Sequence, residues 1–160
     1  MANDPAVNIT APAEKDIRIQ TSRFGEITVD LDKLITMATP FLGFPESKRF
    51  VLRPHGPKSP FMWLQSLDNP NLAFVVIQPA VLIPQYKPEM SAHLKKELQL
   101  ANGNEPDLLL ILTIPQNNPQ AMTANLLGPV AINPEKRLAK QVLLDPVKYD
   151  ACWPVFVESE

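Results

Sequence analysis

Nucleophilic and acid–base side chains are scarce in this chain: one cysteine and two histidines. Cys152 lies in Ala151-Cys152-Trp153-Pro154, His55 in Arg53-Pro54-His55-Gly56-Pro57, and His93 beside Lys95 and Lys96. A thiol nucleophile needs a base within hydrogen-bond reach, and a histidine base needs a group to orient it. None of the three has such a neighbour in sequence. His55 reads as a solvated turn residue, His93 as a surface residue and Cys152 as a small buried hydrophobe. A small hydrolase stays open only as an alternative in which folding brings a histidine to Cys152. A lone cysteine excludes an internal disulfide and a Cys-rich zinc site. The 5 glycines form neither a dinucleotide fingerprint nor a P-loop. Carboxylates are spread singly and mark no glycosidase-type pair. The expectation is no catalytic residue, no cofactor and no metal.

Stacking chemistry is the next possibility. Lys48, Arg49, Arg53 and Lys58 surround Phe50 and Phe61, and aromatics among cations can hold single-stranded bases. An OB-like nucleic-acid-binding module is therefore a second alternative. The balance of 15 basic against 17 acidic residues weighs against it, because phosphate binding normally needs a basic excess. The favoured reading turns both phenylalanines inward and places Trp63 and Phe74 in the core.

The remaining candidates suit contact with another polypeptide. Tyr86 lies in Pro84-Gln85-Tyr86-Lys87-Pro88, a stiff extended piece able to present a side chain. Asn125 interrupts an apolar run, so its amide either pins a turn or bulge or meets a partner. Of Asp68, Glu89, Glu105 and Asp107, three flank uncharged strands on predicted loops.

The elements that must position these residues are mostly strands. The chain has 18 prolines, which break helices and suit short strands joined by fixed turns. Ile17–Arg23 and Glu26–Val29 alternate apolar and polar residues around Gly25 and read as paired strands. Asp30 or Asp32 is placed to cap a short helical turn near Lys33–Met37. Phe50–Leu52 and Phe61–Leu67 read as strands. Leu72–Ile77 reads as a strand buried on both faces. Pro79 and Pro84 bracket an edge strand or extended connection. Ser91–Leu100 is the best helix, capped by Ser91 and stopped by Asn102-Gly103-Asn104. Leu108–Ile114, Ala121–Leu127, Val130–Ile132 and Leu138–Leu144 complete the strands. The expected fold is mainly β: a small β-barrel-like or sandwich-like single domain over 16–154 with one or two short helices. A flexible leader over 1–15 and a tail over 155–160 flank it. The uncharged stretch Leu108–Pro134 is broken by Pro115, Pro119 and Pro129, which argues against a membrane span. A lone thiol without an export signal favours the cytoplasm.

Taken in order, several motifs resemble the FliW family of flagellar assembly factors. They are Arg23-Phe24-Gly25-Glu26-Ile27, Leu42-Gly43-Phe44, Trp63-Leu64-Gln65-Ser66-Leu67 with Asp68 and Pro70, Leu72-Ala73-Phe74, Pro79, Tyr86, Thr123 to Asn133, and Gln141-Val142. The likeness covers about residues 17–149. The W-L-Q-S-L block and the N-L-x-x-P-x-x-I-N block, in that order, carry most of it. Where the family usually has a glycine three residues before Gly43, this chain has Pro40. The resemblance implies a β-barrel-like cytoplasmic protein without catalytic activity. It also implies two protein partners: flagellin, and the carbon storage regulator CsrA, a small RNA-binding translational repressor. Free flagellin would titrate the factor, and export of flagellin would release it to relieve repression of flagellin translation. Neither direct nucleic-acid nor membrane contact is expected. Asp68, Glu89, Glu105 and Asp107 are then expected to include the charges that meet the basic regulator. Flagellin is expected on an exposed β-edge around Pro79–Tyr86, and Asn125 is a further candidate for contact with a partner.

Overall fold

Alternation of side chains sets the two faces of most strands. The computed structural model describes residues 16–156; the expected leader, and residues 157–160 of the expected tail, lie outside the described residues. Strands β1 (Asp16–Thr21) and β2 (Gly25–Asp30) form an antiparallel hairpin with Ile17 opposite Val29 and Ile19 opposite Ile27. Gly25, at φ +68°, makes its tight corner, and the Thr21 hydroxyl accepts from the Phe24 N–H at 2.9 Å.

The larger sheet contains β3 (Ile35–Met37), β4 (Arg49–Pro54), β5 (Phe61–Ser66), β6 (Ala73–Ile77), β7 (Asp107–Thr113), β8 (Thr123–Ala124), β9 (Val130–Asn133), β10 (Leu138–Gln141) and β11 (Trp153–Pro154). The strand order is β11-β8-β7-β6-β5-β4-β3-β10-β9, and pairing of β7 with β9 closes a 7-strand barrel. Only the β3–β10 pair is parallel among these ladders. Inward residues fill the barrel: Ile35, Phe50, Leu64, Val76, Leu109, Val130 and Ile132, with Phe41 edge-on to Phe50 at 5.4 Å.

Outward apolar residues are covered in three places. The hairpin packs Ile27 and Val29 onto Val51 and Leu67. Tyr86, Met122, Leu126 and the segment around Leu144, Tyr149 and Trp153 cover Ile77, Leu110 and Leu112. A short helix lays Leu94 and Leu98 over Ala131. Leu72–Ile77 is thus apolar throughout because Phe74 and Val76 face the barrel core, while Val75 and Ile77 face the second cluster.

Several local expectations shift. The helical turn is one 3₁₀ turn, Leu31–Lys33, capped by Asp30, and Ile35–Met37 is a strand because Ile35 and Met37 are needed inside. The edge strand or extended connection expected between Pro79 and Pro84 is instead a one-turn helix, α1 (Pro79–Leu82), with proline in its first turn. Helix α2 (Ala92–Glu97) has Ser91 as its cap, as expected, but ends before the Asn-Gly-Asn stop. Gln99 turns left-handed at φ +59°, and the Asn133 side chain takes the carbonyls of Leu98 and Gln99 at 2.8 and 3.1 Å. The strand expected over Ala121–Leu127 shrinks to two residues, because a 3₁₀ turn precedes it and Asn125 turns the chain after it. Strand β11 gave no alternation signal, being only two residues long. Pro40 leaves the next turn intact: Gly43 supplies φ +91° and the Phe44 N–H donates to the Phe41 carbonyl at 3.0 Å.

Candidate functional site

The chemistry-bearing residues are held on three different elements. His55 follows β4 and packs against Phe61 and Trp63, with ring centroids 6.3 Å away in both cases. His93 is exposed on α2, 4.0 Å from Glu97. Cys152 is exposed, correcting the expectation that it is buried; the turn before β11 holds it outside, with its N–H donating to the Asp150 carboxylate at 2.8 Å. Among the described residues, no group of three His, Cys, Asp or Glu could hold a metal ion. Among the described residues no helix is long and apolar enough to cross a membrane. The base-stacking alternative loses one of its two rings: Phe50 is fully buried in the barrel, and Phe61 is half-buried against the outer cluster.

Most polar residues of the two family-like blocks pin turns. In the first block the Gln65 amide donates to the Ser66 and Leu72 carbonyls, and the Ser66 hydroxyl accepts from the Asp68 and Asn69 N–H groups. Asp68 then accepts from the Lys48 and Arg49 N–H groups and from the Arg49 guanidinium at 2.9 Å. Burial pushes its carboxyl up, but the bonds from the Arg49 side chain and the two N–H groups outweigh that and hold it below the usual range. Asp68 is therefore a clamp whose charge Arg49 already neutralises.

In the second block Asn125 accepts from the Gly128 N–H at 2.8 Å, Gln141 donates to the Gly128 carbonyl, and Asn133 anchors α2. Asn125 thus pins a turn while its other edge borders a hollow with Leu42 and Leu143. Tyr86 is buried, which corrects its expected role as a presented side chain. Its hydroxyl donates to the Leu126 carbonyl at 2.7 Å, and burial, then Tyr149, pushes its pKa far above the ordinary value.

Three of the six predicted residues do meet. Tyr86, Glu89 and Glu105 border one hollow of about 370 Å³ whose apolar lining includes Pro88, Met90 and Leu108. Asp107 follows at the start of β7, exposed, whereas Asp68 lies on the turn between β5 and β6. Glu105 is ion-paired to Lys95 at 2.6 Å. Glu97, in turn, accepts from Lys140 and Thr39, and these bonds hold its carboxyl low while tying α2 to β10 and to the loop after β3.

A second cluster escaped sequence reasoning, although its members stand in the quoted motifs. The hairpin tip lays the Arg23 guanidinium over Trp63, 4.2 Å from the ring centroid. Phe24 meets Trp63 edge-on at 5.9 Å, and Arg53 covers the Phe24 ring at 4.7 Å. The signal was present in two fragments far apart in sequence, Arg23-Phe24 and Trp63, and only the hairpin's fold-back joins them.

Comparison with known proteins agrees with this architecture. The family model described as FliW protein matches residues 18–155. A flagellar assembly factor FliW of Syntrophus aciditrophicus is 41% identical over 138 residues, covering 84% of this chain and 87% of that protein. One of Geobacter sulfurreducens is 41% identical over 143 residues, covering 89% of each. A crystal structure of the flagellar assembly factor FliW superposes with a TM-score of 0.80 at 33% identity, covering 90% of this chain and all of that one. The closed barrel, its turn-pinning blocks and these relatives lead to one conclusion: the chain belongs to the FliW family.

Proposed function

We propose that this chain is a non-catalytic flagellar assembly factor of the cytoplasm that binds flagellin and antagonises the RNA-binding repressor CsrA. The observation that carries the reading is its FliW family membership over nearly the whole described chain. The hollow at Tyr86, Glu89 and Glu105 supports it physically. An apolar lining beside exposed carboxylates suits an amphipathic polypeptide and, next to it, a basic surface. Acidic groups must dock close to act on a basic regulator, because exposed charges are screened beyond about 8–10 Å at physiological salt. Glu89 and Asp107, exposed and outside any ion pair among the described residues, are the acidic contacts of this reading; Tyr86 supports the hollow from beneath. Asp68 and Asn125 take turn-pinning roles.

Size-exclusion chromatography of the purified chain with flagellin, and separately with CsrA, tests the reading. Co-elution with each partner, and loss of CsrA co-elution when flagellin is in excess, is the expected result. Separate elution from both overturns it.

A further inference from the structure

The stack of Arg23, Trp63, Phe24 and Arg53 is unused by the flagellar reading, and the inference drawn from it does not depend on that reading. Each guanidinium lies within reach of an aromatic face, at 4.2 Å for Arg23 and 4.7 Å for Arg53, where the ring quadrupole attracts a cation. Neither arginine makes an ion pair among the described residues, whereas Arg49, close by in sequence, does. The Arg53 Nε is also buried and donates to nothing. Stacking fixes the planar forks and leaves less side-chain entropy to lose on binding.

We infer that this stack is a docking surface for an acidic segment of a protein partner, with the Arg23 and Arg53 forks each taking a carboxylate. The ring faces that a nucleobase would need are already occupied by guanidinium groups, which disfavours RNA. Arginine forks match carboxylates bidentately, so the surface discriminates by charge sign and by fork geometry.

The test uses the full-length protein and a fluorescein-labelled peptide of alternating glutamate and glycine, read by anisotropy at low salt. An unlabelled single-stranded RNA of similar length serves as competitor. The acidic peptide binds, the RNA does not displace it, and Arg23→Gln weakens binding at least about fivefold. Arg53→Gln weakens it similarly, and Arg23→Lys recovers only part, because the charge remains while the fork is lost. Arg23 is exposed, so its variants fold even if those of Arg53 do not. Absence of peptide binding overturns the inference. So does displacement by RNA, or a lowered melting temperature for Arg23→Gln with unchanged peptide affinity, which would reduce the stack to a clip for the hairpin.

Discussion

The Tyr86 hydroxyl donates to the Leu126 carbonyl at 2.7 Å, joining the segment after α1 to the turn that leaves β8. Both groups are buried, and the ring packs edge-on against Tyr149 at 5.6 Å. This bond joins the backbone bonds Leu126 N–H to Asp150, Leu144 N–H to Leu127 and Val155 N–H to Met122 in holding the layer that covers the outside of β6 and β7.

Tyr86→Phe keeps the ring and strands the Leu126 carbonyl. It is expected to cost about 1–2 kcal/mol in urea unfolding, with the slope unchanged. The pH dependence follows from the raised pKa. The folded state holds the phenol protonated by burial, while the unfolded chain ionises near 10.0. The Tyr86 contribution is therefore complete below about pH 10 and declines as pH rises beyond it. Tyr86→Phe should show a shallower alkaline loss than the native protein; identical slopes would show that Tyr86 does not titrate differently in the two states.

Asp68 gives the opposite sign. Its folded pKa is depressed below 3.8, so its contribution is present above that value and is lost as pH falls through the lower folded pKa. Asp68→Asn should cost about 1 kcal/mol near neutrality, discounted because the Arg49 side chain is half exposed. The gap between mutant and native protein should narrow as pH falls below 3.8. A gap that persists there would assign the loss to the backbone turn alone.

Asn133 donates to the Leu98 and Gln99 carbonyls and accepts from the Glu135 and Lys136 N–H groups. Asn133→Asp replaces the donor by an acceptor facing two carbonyls in a buried site. A loss of about 2–4 kcal/mol is expected by chemical denaturation. Hydrogen exchange should speed up first in α2, since that helix is held by this amide and by Leu94 and Leu98. Uniform protection across the chain would separate α2 from Asn133.

The strands were legible because period-two alternation survives wherever one face is wet, as in Ile17 to Thr21 of the hairpin, and Pro and Gly mark the turns. What alternation cannot show is which strand neighbours which. The closure of β7 onto β9, and the parallel β3–β10 pair, depend on contacts distant in sequence. Polar residues misled for a related reason. Tyr86 looks presentable beside prolines, yet a carbonyl forty positions later claims its hydroxyl. Asp68 looks like a free loop charge, yet Arg49 and two backbone N–H groups consume it. Arg23 and Trp63 each read as ordinary in their own segments, and only the hairpin's fold-back makes them a pair.

Glu89 and Asp107 are the acidic candidates left exposed and outside the ion pairs, since Glu105 already faces Lys95. Glu89→Lys and Asp107→Lys should leave stability within about 0.5 kcal/mol, as surface changes away from caps and cores do. Against CsrA, each reversal should slow association several-fold at low salt while leaving dissociation nearly unchanged, because peripheral charges act mainly on diffusional encounter. The effect should shrink as salt shortens the screening length. Stopped-flow measurement at two salt concentrations checks both features. Association rates equal to the native value for both variants would remove these carboxylates from the encounter surface and leave the apolar lining of the hollow as the only contact proposed there.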